Sequence, residues 1–404
     1  MALLQGSRYD RRIWVLFWSR LIDGAGFSIV YPFLTIYMSS ILEVPMTLVG
    51  LVILVAGVAG AVGSIAGGIW ADAYGRRQVM VLSMLARTLS FLVLALVIAV
   101  VPDLWLIAAL LAINFFLGGA FDPANNAMVA DVVEPAKQLE AYGLLRVAWN
   151  LGFAIGPAIG GLIVTASYLM AFMASAAVSF VAALVVLLFL KESYVPKKRA
   201  RTERGRLDLS GISLPFLAFC FFCVPMFIMA GQFSTTFPVF ANERLGIDQF
   251  IIGVVFGING LMVAVIQLPL ARWLSRFNRF ASMLFGTLVY SLGFMCLALI
   301  SGGVGLAVCM VVITFGEMVV TPVSTSLTAA YSHEDDRGRY MGVFGLIASL
   351  GWFTSSLVGG LIYDNVASGL VLWGVMALMG VITAMGMALL WQRSRTSHGV
   401  GSAT

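Results

Sequence analysis

The chain has 404 residues, 61% of them hydrophobic and 11% charged, and its mean hydropathy is +1.00. Such a composition excludes a soluble globular domain and marks an integral membrane protein. The net charge of +5 does not imply nucleic acid, because basic residues gathered on one side of a membrane account for it.

Twelve apolar segments follow one another, near 13–39, 47–70, 79–101, 104–130, 139–165, 168–190, 211–240, 250–272, 280–300, 304–329, 338–363 and 368–391. Each reaches the ~20 residues that a helix needs to cross the hydrocarbon of a bilayer. The first is too long for the core of a cleavable signal and lacks a small-residue cleavage site, so it is expected to stay as helix 1. Arg8, Arg11, Arg12, Arg76, Arg77, Lys137, the run Lys191 to Arg206, Arg272, Arg276, Arg279, Arg337, Arg339, Arg393 and Arg395 all fall at one end of these segments. Of the 24 Lys and Arg, only Arg244 lies in a loop at the other end, beside Glu43, Asp103, Glu243, Asp248 and Asp364. Short loops rich in Lys and Arg stay in the cytoplasm, so both termini are expected there and the protein in the plasma (inner) membrane.

Cys220, Cys223, Cys296 and Cys309 lie within spans, and His333 and His398 in a loop and the tail. Cys220-x-x-Cys223 therefore has no histidine or cysteine partners for zinc, and core packing is the expected role. No cofactor and no enzymatic activity are implied.

The stretch from Lys191 to Asp208 carries seven Lys or Arg and divides the chain. The expected organisation is a six-helix bundle over 1–190, a cytoplasmic linker over 191–209, a second bundle over 210–392 and a disordered tail over 393–404. Asp208 or Ser210 is expected to cap helix 7. The halves repeat: Gly342 answers Gly143, Gly351 answers Gly152, and Gly359-Gly360 answers Gly160-Gly161, each 199 residues on. Helix 5 holds four glycines and a proline between Asn150 and Gly161, residues that a helix interior normally disfavours. In a membrane they let helix backbones approach closely.

Two sets of six helices joined by a basic loop resemble the major facilitator superfamily, whose halves are related by an axis along the membrane normal. The loop between helices 2 and 3, Gly68-x-x-x-Asp72-x-x-Gly75-Arg76-Arg77, is similar to the signature loop of that family; the second half keeps a worn form, Ala271-x-x-x-Ser275-x-x-Asn278-Arg279. The resemblance implies a latch in which Arg76 pairs with Asp131, while Asp72 meets the positive N-terminal end of helix 11 near Gly338. Helix 5, with Gly152, Gly156, Pro157, Gly160 and Gly161, resembles the motif of the antiporter branches, in particular the twelve-helix drug:proton antiporters. One departure stands out: the family usually carries an arginine in helix 4 where Asn114 aligns here.

Five ionisable residues stand out deep within spans, namely Asp23, Arg87, Asp122, Arg146 and Glu317. Asp23 on helix 1 and Glu317 on helix 10 lie about 15 Å and about 19 Å along their helices, near the midplane. Arg87, Asp122 and Arg146 sit two turns or more from the cytoplasmic ends of helices 3, 4 and 5. An ionisable group at such depth is a functional candidate by default. Arg87 and Asp122 match in depth and are expected to form a structural pair, whereas Asp23 and Glu317 have no partner on their own helices. Burial disfavours the charged form of an acid, which suits a group that gains and loses a proton in each cycle. Phe27, Tyr31, Asn114, Asn125, Trp149, Asn150, Gln232, Asn259 and Trp352 are expected to line an apolar, aromatic cavity with a few polar handles.

The sequence is thus expected to encode an all-α, twelve-helix exporter of drugs or other amphiphilic small molecules in exchange for protons. Its partners are the substrate, protons and the lipid bilayer, with no nucleic acid, and it is expected to act as a monomer. A proton-coupled importer of a specific solute and a non-transporting receptor are the competing readings. The helix 5 motif disfavours the first, and the short loops disfavour the second.

Overall fold

The computed structural model describes residues 10–193, 212–332 and 336–399. Most of the Lys191 to Arg206 run, the expected caps Asp208 and Ser210, and His333 fall outside them. Twelve helices are long and apolar enough to span a bilayer. They are α1 (Arg11–Ile36), α2 (Met46–Tyr74), α3 (Arg76–Val100), α4 (Leu104–Val132), α5 (Pro135–Ala166), α6 (Tyr168–Phe189), α7 (Leu214–Gly231), α8 (Gln249–Leu274), α9 (Arg279–Cys296), α10 (Gly303–Tyr331), α11 (Arg337–Asn365) and α12 (Gly369–Gly399). No strand occurs among the described residues. The last helix runs past Gln392 to Gly399, further than the expected end of helix 12 at 391.

Some helix starts follow ordinary capping chemistry, in which a side-chain oxygen accepts from a backbone N–H left free in the first turn. Asp10 accepts from Arg12 N at 2.8 Å, Asp103 from Leu106 N at 2.9 Å, and Asn278 from Phe280 N at 2.9 Å. Helix 7 begins after Ser213, whose N–H donates to the Tyr340 hydroxyl at 3.0 Å.

The seventh span is not one continuous helix. After Gly231 it tightens through Gln232–Ser234, resumes for one turn over Thr236–Val239, and widens to π geometry over Phe240–Arg244. The span 211–240 expected from hydropathy runs across the break, although the polar cluster Gln232, Ser234, Thr235 and Thr236 sits at it. Gln232 shows its cause: its amide donates to Ile228 O at 3.1 Å and to Ser355 O on α11 at 2.8 Å, and accepts from the Thr236 hydroxyl at 2.6 Å.

Contacts group the chain into two compact units. One holds Met1–Val44, Leu51–Lys197 and Pro238–Ala264, and the other Pro45–Gly50, Lys198–Phe237 and Val265–Thr404. In the first unit the main packings are α1 on α5 and α6, and α3 on α4 and α6. In the second they are α7 on α11 and α12, and α9 on α10 and α12. Every pairing in one unit recurs six helices later in the other.

Backbone detail repeats too. The π turn Tyr37–Ile41 that ends α1 is matched by Phe240–Arg244, 203 residues on. At the same offset the positive φ of Glu43, 53°, is matched by that of Gly246, 64°. Both halves turn the chain the same way, one of them with a residue that is not glycine and resists that conformation.

Candidate functional site

The core of the first unit near its basic end is built from Ile13, Leu16, Met80, Met84, Phe121 and Met128, all essentially dry. Above this layer α1 carries two charges three residues apart, Arg20 and Asp23, and each finds a partner on another helix. Arg87 of α3 donates from Nη1 to Asp23 Oδ1 at 2.7 Å. Arg20 pairs with Asp122 of α4. This corrects two expectations, namely a solitary Asp23 and a pair between Arg87 and Asp122.

The reason lies in α4. Gly118 has no side chain, and a Cβ built there would stand 3.4 Å from Arg87 Cζ. The guanidinium of Arg87 thus lies along bare α4 backbone and reaches past it to α1. Asn114, where the family resemblance places an arginine, is one turn from Gly118 and buried. A cation does stand beside α4 at this level, delivered from α3.

Aromatic rings close in on the pair. Phe27 stacks on Tyr31 with centroids 4.7 Å apart and meets Phe115 at 5.6 Å and Trp149 at 6.1 Å. Arg87 lies over Phe27 at 5.7 Å and over Phe91 at 5.8 Å, and Arg20 over Trp149 at 4.5 Å. A guanidinium on an aromatic face gains cation–π attraction when it is desolvated, so the rings help to offset the cost of burying the arginines. On α4 the Nδ2 of Asn114 and the Oδ1 of Asn125 are buried without a hydrogen-bond partner among the described residues. Asn150 is half-buried one turn beyond Arg146, which is exposed on α5.

The glycines of α5 press on α1. A Cβ on Gly152 would collide with Leu21 O, one on Gly156 with the Ser28 hydroxyl and Ala25 O, and one on Gly160 with Ile29 O. Gly161 and the Pro157 carbonyl instead face the start of α8, at Gln249 and Gly253. One helix therefore makes two backbone-close crossings, which only small residues allow.

In the second unit Glu317 is half-buried on α10 and engaged with neighbouring groups. The adjacent Gly316 is filled by the backbone of Tyr290 on α9. Gln232 has its amide fully used, as described above, and ties α7 to α11. The Trp352 carbonyl accepts from Ser355 Oγ beside Gly231. Asn259, in the first unit, is buried and engaged.

At the basic end Gly75 turns the chain between α2 and α3 with φ 105°, a conformation that favours glycine. Arg76 then reaches Asp72 at 3.1 Å and Asp131, at the end of α4, at 3.2 Å. A Cβ on Gly68 would meet only the Pro123 ring on α4, at 3.8 Å. Glu192 joins this loop without being foreseen: its carboxylate accepts from the backbone N–H groups of Arg76 and Arg77 at 3.2 and 3.1 Å. Arg77 donates to Leu187 O at 2.6 Å. Arg20, Phe115 and Glu192 are the participants that sequence reasoning missed. Only Arg20 carried a signal there, as a charge inside an apolar run.

Twelve apolar helices long enough to span a bilayer define a multi-pass membrane protein, and ionisable groups within its spans are candidates for function. The sequence profile of the Major Facilitator Superfamily matches residues 16–322, and the chain belongs to that family of membrane transporters. It is 25% identical over 399 residues to the multidrug resistance protein MdtH of Yersinia enterocolitica, covering 97% of this chain and 96% of that one. It is 23% identical over 374 residues to a Na(+), Li(+), K(+)/H(+) antiporter of Planococcus maritimus, covering 85% and 87%. The crystal structure of the nucleoside transporter NupG superposes with a TM-score of 0.75 at 17% identity, covering 94% of this chain and 98% of that one.

Proposed function

We propose that this transporter exports drugs or other amphiphilic small molecules in exchange for protons, by alternating access between two six-helix halves. The observation that carries the reading is the dry Arg87–Asp23 pair beside the aromatic cluster of Phe27, Tyr31, Phe115 and Trp149. Relatives at about a quarter identity whose names print multidrug resistance and proton antiport support the same direction.

The cycle follows from charge. Asp23 as a carboxylate holds Arg87, which stays cationic because a guanidinium does not lose its proton. A proton arriving from outside neutralises Asp23 and releases Arg87 from its partner; loss of that proton to the cytoplasm restores the pair. Substrate bound at the aromatic cluster competes with the protonated state, so one leaves as the other enters. Asn114, Asn125 and Asn150 offer it polar handles. Arg146 is a further contact for charged substrates, the Arg20–Asp122 pair borders the same aromatic cluster, and Glu317, in the second unit, is a separate candidate for cationic ones. At the cytoplasmic end, Asp72, Arg76 and Asp131 shape the loop that meets the start of α11 near Gly338 when the inner side closes. In this reading both termini are cytoplasmic, the membrane is the plasma (inner) membrane and the protein works as a monomer.

Reconstituted vesicles test it. A panel of lipophilic cations, neutral drugs and anionic lipids is offered, and substrate-dependent proton movement is recorded with a pH-sensitive dye. Proton efflux coupled to substrate entry of the opposite sense supports exchange. Uptake of solute together with protons contradicts it and establishes an importer.

A further inference from the structure

The two backbone-close crossings at the acidic ends of the helices are related by the internal repeat. On α5 and α8, Gly253 meets the Pro157 carbonyl and Gly161 meets Gln249. On α11 and α2, Gly50 meets the Ser356 carbonyl and Gly360 meets Met46. The partners correspond one for one, at offsets of 203 residues for α2 and α8 and 199 for α5 and α11. Their polar chemistry differs.

Asp248, at the start of α8, caps its own helix, accepting from Phe250 N at 2.8 Å. The equivalent position before α2 is Pro45, which has no side-chain acceptor. The first N–H groups of α2 are satisfied from another helix instead. Asp364, at the end of α11, accepts from Met46 N at 2.9 Å, from Thr47 N at 2.7 Å and from Thr47 Oγ1 at 2.6 Å. Ser356 adds a hydrogen bond from its hydroxyl to Gly50 O at 2.9 Å. Its counterpart on α5 is Pro157, which has no donor. The counterpart of Asp364 is Thr165, whose hydroxyl bonds Leu162 O within its own helix. Beside the α5–α8 crossing, Gln249 Nε2 donates to the hydroxyl of Tyr168, at the start of α6, at 2.7 Å.

We propose that Asp364 is a positioning residue of the transport cycle, a clasp that holds the outer side shut by capping α2 only while α11 crosses it. A helix capped by its own residue keeps that cap in every conformation. α2 has its cap only in this one, because the acceptor belongs to a helix of the other half of the chain. Three charge-assisted hydrogen bonds are lost when the crossing opens, and two backbone donors turn to water. The α5–α8 contacts of Gly253 on the Pro157 carbonyl and Gly161 on Gln249 are backbone packing, so that crossing serves as the packing side and α2–α11 as the locking side. The proposal rests on the alternating-access reading. Its test needs no transported substrate, so its failure and the failure of that reading are told apart.

Val49, fully buried on α2, is replaced as Val49→Cys, and its labelling by a membrane-impermeant maleimide is followed from outside intact cells. Asp364→Ala is expected to raise the labelling rate roughly tenfold, the shift that loss of a helix cap gives. Adding Pro45→Asp supplies α2 with its own cap, as Asp248 does for α8, and the rate is expected to remain raised. A rate that does not change in Asp364→Ala overturns the proposal. So does a rate that returns to its original value once Pro45→Asp is added, since the cap then acts only on the helix itself. Where Asp364→Ala does not accumulate in the membrane, Thr47→Val removes the hydroxyl donor alone, with a rise of about threefold expected; no rise there also overturns it.

Discussion

Within one turn of α1 the first unit places two Arg–Asp pairs that differ in their access to water. Arg87 and Asp23 keep 5% and 3% of their side-chain exposure, whereas Arg20 and Asp122 keep 18% and 47%. In the dry pair each charge depends on the other, because neither can exchange its partner for solvent. In the second pair Asp122 is nearly half exposed, so it is held less completely by its partner than Asp23 is by Arg87. Depth along a helix therefore does not decide what a membrane charge does; access to water does. A proton added to the dry pair changes the state of both residues, and this is the property a coupling site needs.

The comparison breaks most sharply at Arg87. Arg87→Leu leaves Asp23 buried beside rings without its counter-ion, a change of about 3–5 kcal/mol when one partner of a buried pair is removed. We expect a marked fall in the melting temperature of the purified protein, with much of it recovered when Asp23→Asn is added. An unaltered melting curve for Arg87→Leu contradicts the account of a mutually dependent pair.

Next in size is the platform under the pair. Gly156→Leu drives a side chain into Ser28 and Ala25 of α1, one turn beyond Asp23. Transport is expected to fall at least tenfold while the protein still inserts, since overpacking in a tight interior costs roughly 1–3 kcal/mol. Insertion is read from membrane fractions and transport from vesicles. Undiminished transport means that the α1–α5 contact is not needed for the cycle.

A smaller effect is expected at the basic end, where Arg76 bridges Asp72 and Asp131. Asp131→Asn favours the inward-facing state in this account, so a cysteine placed on the cytoplasmic side of the aromatic cluster becomes more reactive by a few-fold. Unchanged reactivity reduces the loop to a determinant of topology.

Asp122→Asn sharpens the comparison from the other side. With Asp122 nearly half exposed, the loss is below about 1 kcal/mol, and proton-driven transport continues with a modest drop in rate. Abolished coupling in this variant, read in the same vesicles, exchanges the roles assigned to the two pairs.

The twelve spans were readable because each is a long apolar run, and hydropathy needs no knowledge of neighbours. The doubling was readable from the glycines of helices 5 and 11. The pairing of charges was not. Arg87 and Asp122 match in depth, but depth omits direction around the helix axis, and the bare backbone at Gly118 turns Arg87 toward α1. Arg20 went unremarked as a charge within the membrane, and it is the residue that takes Asp122. Asp364 read as an ordinary acid of an outer loop, because its work depends on a crossing with α2 more than three hundred residues earlier in the chain. The break after Gly231 had a signal in the polar cluster Gln232, Ser234, Thr235 and Thr236, but an average over a whole span blurs so short a run.

The most direct test of proton exchange is made on Asp23→Asn in vesicles, with proton-driven accumulation and substrate exchange measured side by side. The amide keeps the shape of the protonated acid and cannot release a proton, so the substitution holds the pair in its parted state. The account predicts that accumulation driven by a proton gradient is abolished while exchange of substrate across the membrane persists. Full proton-driven accumulation in Asp23→Asn, with an unshifted pH optimum, contradicts it and removes the Arg87–Asp23 pair from the mechanism.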